Sequence, residues 1–251
     1  ARARSLFARV LDCPGGGLRI DTIHAFAQYL LAAFPGEAGM LPGARPMEDR
    51  ERDLLSREVL SDLLAGGSQT VVEAIAEMSR RKGPDAVRGW LMRCARHMDL
   101  WQGSGSWQPP MQPRVHRLLG IPADADESWI AEACSDEAFD VASMRRCLST
   151  LEDWDTKGGR DASAAIKAWL AADTTGRAST IGSLHGTLFT ADGSKAKNLH
   201  HIAKRDPEFE EYAERLRHCV GSVNERAALI SLAGFLAPQL EAGRAFALAW
   251  D

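Results

Sequence analysis

The sequence predicts a mainly helical protein that opens with a short strand-turn-helix unit. Apolar residues recur at three- and four-residue intervals over most of the chain. Gly/Pro breaks such as Gly66-Gly67 and Gly83-Pro84 cut that period into helix-sized pieces. The first apolar run after the Gly15-Gly16-Gly17 turn is too short for a helix and reads as a strand.

The elements follow in order. Leu6 to Leu11 reads as the end of a helix stopped by Pro14 and the glycine run. Leu18 to Asp21 is the strand, and Ile23, Phe26, Ala27, Leu30 and Phe34 then recur at helical spacing until Pro35, with Phe26 assigned to the core. Beyond Pro46 come Leu54 to Leu64, Val71 to Met78 and Val87 to Cys94, each with a helical stripe. The stretch GSGSWQPPMQP, Gly103 to Pro113, has linker composition and reads as a surface loop and sub-boundary. Helical patterns resume over Trp129 to Ala133, Phe139 to Leu151 and Ala162 to Leu170, with Gly158-Gly159 as the break between the last two. The pattern weakens over Thr174 to Ser194, rich in Thr, Ser and Gly, and Ala191-Asp192-Gly193 signals the turn of a hairpin or extended loop. From Pro207 to Trp250 the helical period returns, with Pro238 expected to kink or split it.

Composition bounds the function only loosely. With 251 residues, 45% hydrophobic and 25% charged, the chain can bury a substantial core and is neither disordered nor fibrous. A net charge of -4 excludes the global positive field of a free-standing DNA-binding domain, so any nucleic-acid contact is local. Five cysteines without close pairing suit a reducing compartment, and the absence of a signal-peptide core or a membrane-length apolar run predicts a soluble, cytoplasmic protein. The chain opens at Ala1 and closes at Asp251 directly after AFALAW, which leads to the expectation that both ends were cut from a longer protein.

The most informative segment is LRIDTIHAFAQYLLAAF, Leu18 to Phe34. If Thr22 caps the helix, the first amides lack intrahelical partners and, with the helix dipole and the Thr22 hydroxyl, form an anion site with His24 beside it. The plainer alternative is an ordinary cap with a solvent-facing histidine. A second candidate is the run Lys195, Lys197, His200, His201, Lys204 and Arg205, which neutralises phosphates or is simply a solvated face next to the acids from Asp206 onward. Arg80-Arg81-Lys82 sits at a helix end, where cations favour the dipole.

Other chemistry finds no anchor. Cys94 and His97 share a helical face and His218 abuts Cys219, but no four-ligand metal set appears. Asp124, Asp126 and Glu127, and Asp153 and Asp155, lie where carboxylates serve as caps. There is no G-x-S-x-G elbow and no G-x-x-x-x-G-K-[ST] phosphate loop, so no catalytic residue is assigned and no cofactor is expected in this segment. Of the seven tryptophans, Trp107 in the loop is the candidate for base stacking.

Asp21-Thr22-Ile23-His24-Ala25-Phe26, followed by an apolar helix and Phe34-Pro35, resembles the TIHAF motif of AddA-type (RecB/UvrD-like) ATP-dependent DNA helicase/nuclease subunits. Ala3 to Asp12 resembles the lead-in and Glu37-Ala38-Gly39 the continuation, while Leu188 to Lys195 is similar to the family's FLT-x-DG stretch. Ala27 stands where the family commonly has cysteine, a change without consequence for charge. Residues 45–180 resemble the family only in helical character. The resemblance implies that residues 1–45 are part of a RecA-like first motor domain touching single-stranded DNA, and that residues 46–251 form a helical accessory subdomain. It implies DNA contact by Thr22, His24, Lys195 and Lys197, and a parent that uses ATP and magnesium, acts with an AddB-like partner subunit on forked DNA or duplex with a single-stranded tail, and serves recombination repair of double-strand breaks. The ATP-binding and nuclease residues would lie elsewhere in that parent. The alternatives are a stand-alone helical protein-interaction domain and a small hydrolase.

Overall fold

The computed structural model describes residue 9 and residues 21–251. Within them the chain is mainly helical. The helix end at Leu6 to Leu11, the glycine turn and the strand at Leu18 to Asp21 fall outside the described residues, apart from Arg9 and Asp21. The chain divides into two compact units, Ala1–Glu58 and Val59–Asp251.

In the first unit, α1 spans Ile23–Ala33 and is followed by turns up to α2, Asp49–Gly66, which runs across the division. Asp49 and Glu51 occupy the first turn of α2, where carboxylates oppose the helix dipole favourably. Glu51 is clamped there by Arg45 at 2.5 Å and by the Glu48 amide at 3.1 Å. No residue of α1 is buried. The expectation that Phe26 joins a core is corrected: it is 54% exposed. An apolar stripe buries only against a second apolar surface, and the described elements of this unit supply none.

In the second unit, α3 (Gln69–Lys82), α4 (Pro84–Ala95), α5 (Gln112–Leu118), α6 (Glu127–Glu132), α7 (Val141–Asp153), α8 (Lys157–Ala171), α9 (Thr174–Leu188), α10 (Leu199–Ile202) and α11 (Phe209–Trp250) follow in turn. Two hydrophobic clusters organise them. One gathers α7, α8 and α9 around Met144, Ile166, Trp169 and Leu184, and the other gathers α3, α4 and α5 around Ile75, Leu91 and Val115. The 42-residue α11 belongs to both. Its Phe209, Tyr212, Leu216, Val220 and Val223 enter the first cluster, and its Ala233, Ala237, Ala242, Phe246 and Ala247 enter the second. At 1.5 Å per residue α11 is about 63 Å long, so one helix serves as the spine of two lobes. Arg226 fastens its middle, donating to the Trp129 carbonyl at 2.8 Å while its guanidinium lies 4.6 Å above the Trp129 ring.

Two local expectations are corrected and two are narrowed. Thr174 to Leu188 is helical despite its Thr, Ser and Gly content, because Asp173 caps it through the Gly176 amide and Ile181, Leu184 and Leu188 are buried. Gly158-Gly159 does not break the helices but lies in the first turn of α8, whose cap is Thr156. A Cβ on Gly159 would stand 2.1 Å from the Trp154 carbonyl oxygen, so glycine is required there for close approach rather than as a breaker. Of the two outcomes expected at Pro238, the split does not occur: α11 is continuous through it, one amide hydrogen bond short, with Ala233, Ala237 and Ala242 buried on either side. Finally, residues 103–111 form a mostly exposed surface loop, as expected, and that loop is pinned to the second cluster, with Ser106 and Met111 buried and Trp107 packed against it.

Candidate nucleic-acid interface

Thr22 and His24 belong to the first unit, Lys195 and Lys197 to the second. Thr22 has extended backbone (φ -69°, ψ 157°), and its Oγ1 accepts a hydrogen bond from the Ala25 amide at 3.2 Å. The first intrahelical backbone bond runs from the Phe26 amide to the Thr22 carbonyl at 2.9 Å. The Ile23 and His24 amides therefore lie at the open, positive end of α1. Thr22, Ile23 and His24 are all exposed, Ile23 at 85%. Asp21, Ile23, Phe26 and Tyr29 line an adjoining open hollow of about 350 Å³. The helix start thus faces solvent beside a largely aromatic and apolar hollow whose rim also carries the Asp21 carboxylate, which opposes an anion that the amides would favour.

The basic segment is built around a tight turn. Phe189 and Ala196 form an antiparallel bridge, and the Thr190 amide donates to the Lys195 carbonyl at 3.0 Å. Asp192 organises the turn by accepting from the Thr190 hydroxyl at 2.5 Å and from the Ser194 amide at 3.1 Å. Those bonds, the Thr190 hydroxyl first, hold the Asp192 carboxyl down at about 2. Phe189 is buried and anchors the turn in the core.

Lys195, Lys197, His200, His201, Lys204 and Arg205 are all exposed, but they do different things. The Lys197 ammonium donates to the Gly186 carbonyl in the last turn of α9. Arg205 donates to the Asp153 carbonyl at the last residue of α7, at 2.8 Å. Two of the cations thus cap helix C-termini, where the negative end of the dipole favours them. Lys195 forms no ion pair among the described residues, although Glu210 and Glu214 share the small hollow beside it. Lys195 and Lys204 are thus the two lysines of the run left open to a phosphate, Lys195 in a field weakened by those two carboxylates.

Arg80, Arg81 and Lys82 close α3 as expected, with Arg80 and Arg81 both paired to Glu77 at 2.6 and 2.5 Å. Asp126 caps α6 through the Ser128 amide at 2.8 Å. Trp107 packs on the second cluster and lines a hollow with Trp90, Trp101 and His97. No group of three or more His, Cys, Asp or Glu side chains among the described residues is placed to hold a metal ion. Cys94, Cys134, Cys147 and Cys219 are free thiols. No described helix is long and apolar enough to cross a membrane.

No protein-family model, curated protein or solved structure matches the chain.

Proposed function

We propose that this chain is a DNA-contacting segment of an ATP-dependent DNA helicase/nuclease subunit of the AddA type, acting in recombination repair of double-strand breaks with an AddB-like partner. The observation that carries the reading is the solvent-facing start of α1, where the Thr22 cap, the Ile23 and His24 amides and an exposed His24 side chain lie within the TIHAF-like motif. A helix N-terminus with an exposed hydroxyl and imidazole suits a backbone phosphate, which positions a strand without reading its sequence. The FLT-x-DG-like stretch supports the reading from the second unit, where it presents Lys195 at the end of a hydrogen-bonded turn. ATP, magnesium and the nuclease chemistry belong to other parts of the proposed parent, and this segment contributes grip alone.

Fluorescence anisotropy with forked DNA at low and moderate salt tests the reading. Affinity is expected to be weak, to fall with salt, and to drop further in Lys195→Ala. Binding indifferent to both salt and that substitution refutes the phosphate role. A second reading, a stand-alone protein-interaction domain, draws on the uncovered apolar face of α1, where Phe26, Tyr29, Leu31 and Phe34 are exposed. Retention of a partner protein by the Phe26→Ser variant, together with normal DNA binding, counts against that second reading.

A further inference from the structure

The helix α4 and the end of α3 concentrate positive charge that the whole chain lacks. Between positions 80 and 97 there are six Lys and Arg residues against one acid, Asp85, in a protein of net charge -4. Arg80 and Arg81 are paired to Glu77, and Arg88 to Asp85. Lys82, Arg93 and Arg96 are exposed and form no ion pair among the described residues. Lys82 and Arg93 stand at the edge of a trough between α4 and α11.

That trough consists of two adjoining hollows of about 350 and 320 Å³, which share Trp90 and Arg93. Phe235 lines the first and Trp107 the second. No carboxylate among the described residues lines either one. Gly243 sets Trp90 in place, since a Cβ there would meet its ring at 2.8 Å. Gln239 lines the first hollow at 6% exposure, and its Oε1 has no hydrogen-bond partner among the described residues. A buried amide oxygen left unpaired is costly unless a ligand supplies a donor.

We infer that the α4–α11 trough binds single-stranded nucleic acid, with neighbouring bases in the two hollows beside Trp90 and the backbone held by Lys82 and Arg93. Each feature has a counterpart in such a strand. Aromatic walls receive base faces whatever the sequence, and unpaired cations at the rim meet phosphates. The Gln239 amide meets the polar edge of a base, which an apolar peptide side chain does not provide. This trough is separate from the α1 start and does not depend on it.

The test is anisotropy of fluorescein-labelled dT12 with the full chain across a salt series. The wild-type chain is expected to bind at low salt. Lys82→Glu combined with Arg93→Glu changes only exposed side chains; it is expected to weaken binding by about tenfold or more and to flatten the salt dependence by about 0.7 per lost phosphate contact. Trp90→Ala weakens binding by several-fold with the salt slope unchanged, and the thermal melt of each variant shows that it is folded. Failure of wild type to bind dT12, or equal affinity in the charge-reversed variant, overturns the inference. So does loss of dT12 binding on Thr22→Ala with both trough variants silent, which places the strand at α1 instead. Displacement-free binding of an acidic amphipathic peptide, with dT12 ignored, also overturns it in favour of a protein partner.

Discussion

Trp169 and Arg177 hold one another in place across the turn between α8 and α9. The indole Nε1 donates to the Arg177 carbonyl at 3.1 Å, while the guanidinium lies 4.8 Å over the indole ring. From there the guanidinium reaches the Cys134 and Leu170 carbonyls at 3.1 and 3.2 Å and Asp136 at 2.5 Å. One cation thereby ties two carbonyls and a carboxylate, from the 134–136 segment and the end of α8, around the largest buried side chain of that lobe.

Arg177→Ala strips the partners from two carbonyls and uncovers the Trp169 ring, so it is expected to cost about 2–4 kcal/mol. Arg177→Lys recovers less than half, because one ammonium cannot reproduce a planar fork of donors. Urea unfolding of the two variants checks both statements; a loss below about 0.5 kcal/mol in Arg177→Ala contradicts them.

Gly243→Ala places a methyl 2.8 Å from both the Cys94 sulfur and the Trp90 ring. Overpacking of this kind is expected to cost about 1–3 kcal/mol. The effect should appear as a lower Tm together with altered dT12 affinity, since the same ring walls both hollows of the trough.

Asp140 provides a pH signature. Burial pushes its carboxyl up, but bonds from the Ser143 hydroxyl and amide and the nearby Arg215 more than reverse this, leaving it below the usual carboxylate range. A carboxylate depressed in the folded state stabilises above its unfolded value and loses that contribution as pH falls from about 3.9 through the folded value. Asp140→Asn is expected to lower stability near neutrality and to flatten the acid limb of the stability curve. An unchanged acid limb contradicts the assignment.

Burial pushes the Cys147 thiol up to about 12 and the Cys94 thiol up to about 11. Both are expected to resist alkylation in the native protein near pH 8, because the thiolate is the reacting form. Mass spectrometry after timed iodoacetamide treatment reads this directly; rapid native labelling of Cys147 would show that its lobe opens readily.

Much of the fold was legible in the sequence where packing and propensity agree. Val71, Ile75 and Met78 on α3, and Val87 and Leu91 on α4, follow the helical period and are buried as that period requires. Reading failed where tertiary contacts override local preference. The Ser- and Gly-rich α9 is held by Ile181, Leu184 and Arg177, which local composition does not reveal. The Thr22 cap was legible because a hydroxyl residue before an apolar run has a local physical meaning. The capping roles of Lys197 and Arg205 were not, since their acceptors lie 11 and 52 positions away. Nor was the trough, because Phe235 and Gln239 reach α4 only through the far end of the spine helix.

Phosphate binding at the start of α1 is read most directly by an amide NMR titration of the chain with a fork whose single-stranded arm is oligo-dT. The Ile23 and His24 amide resonances are expected to shift with saturating dependence on DNA, salt to reverse the shift, and Thr22→Ala to reduce it. DNA binding that leaves both resonances in place while others move would contradict phosphate binding at that helix start.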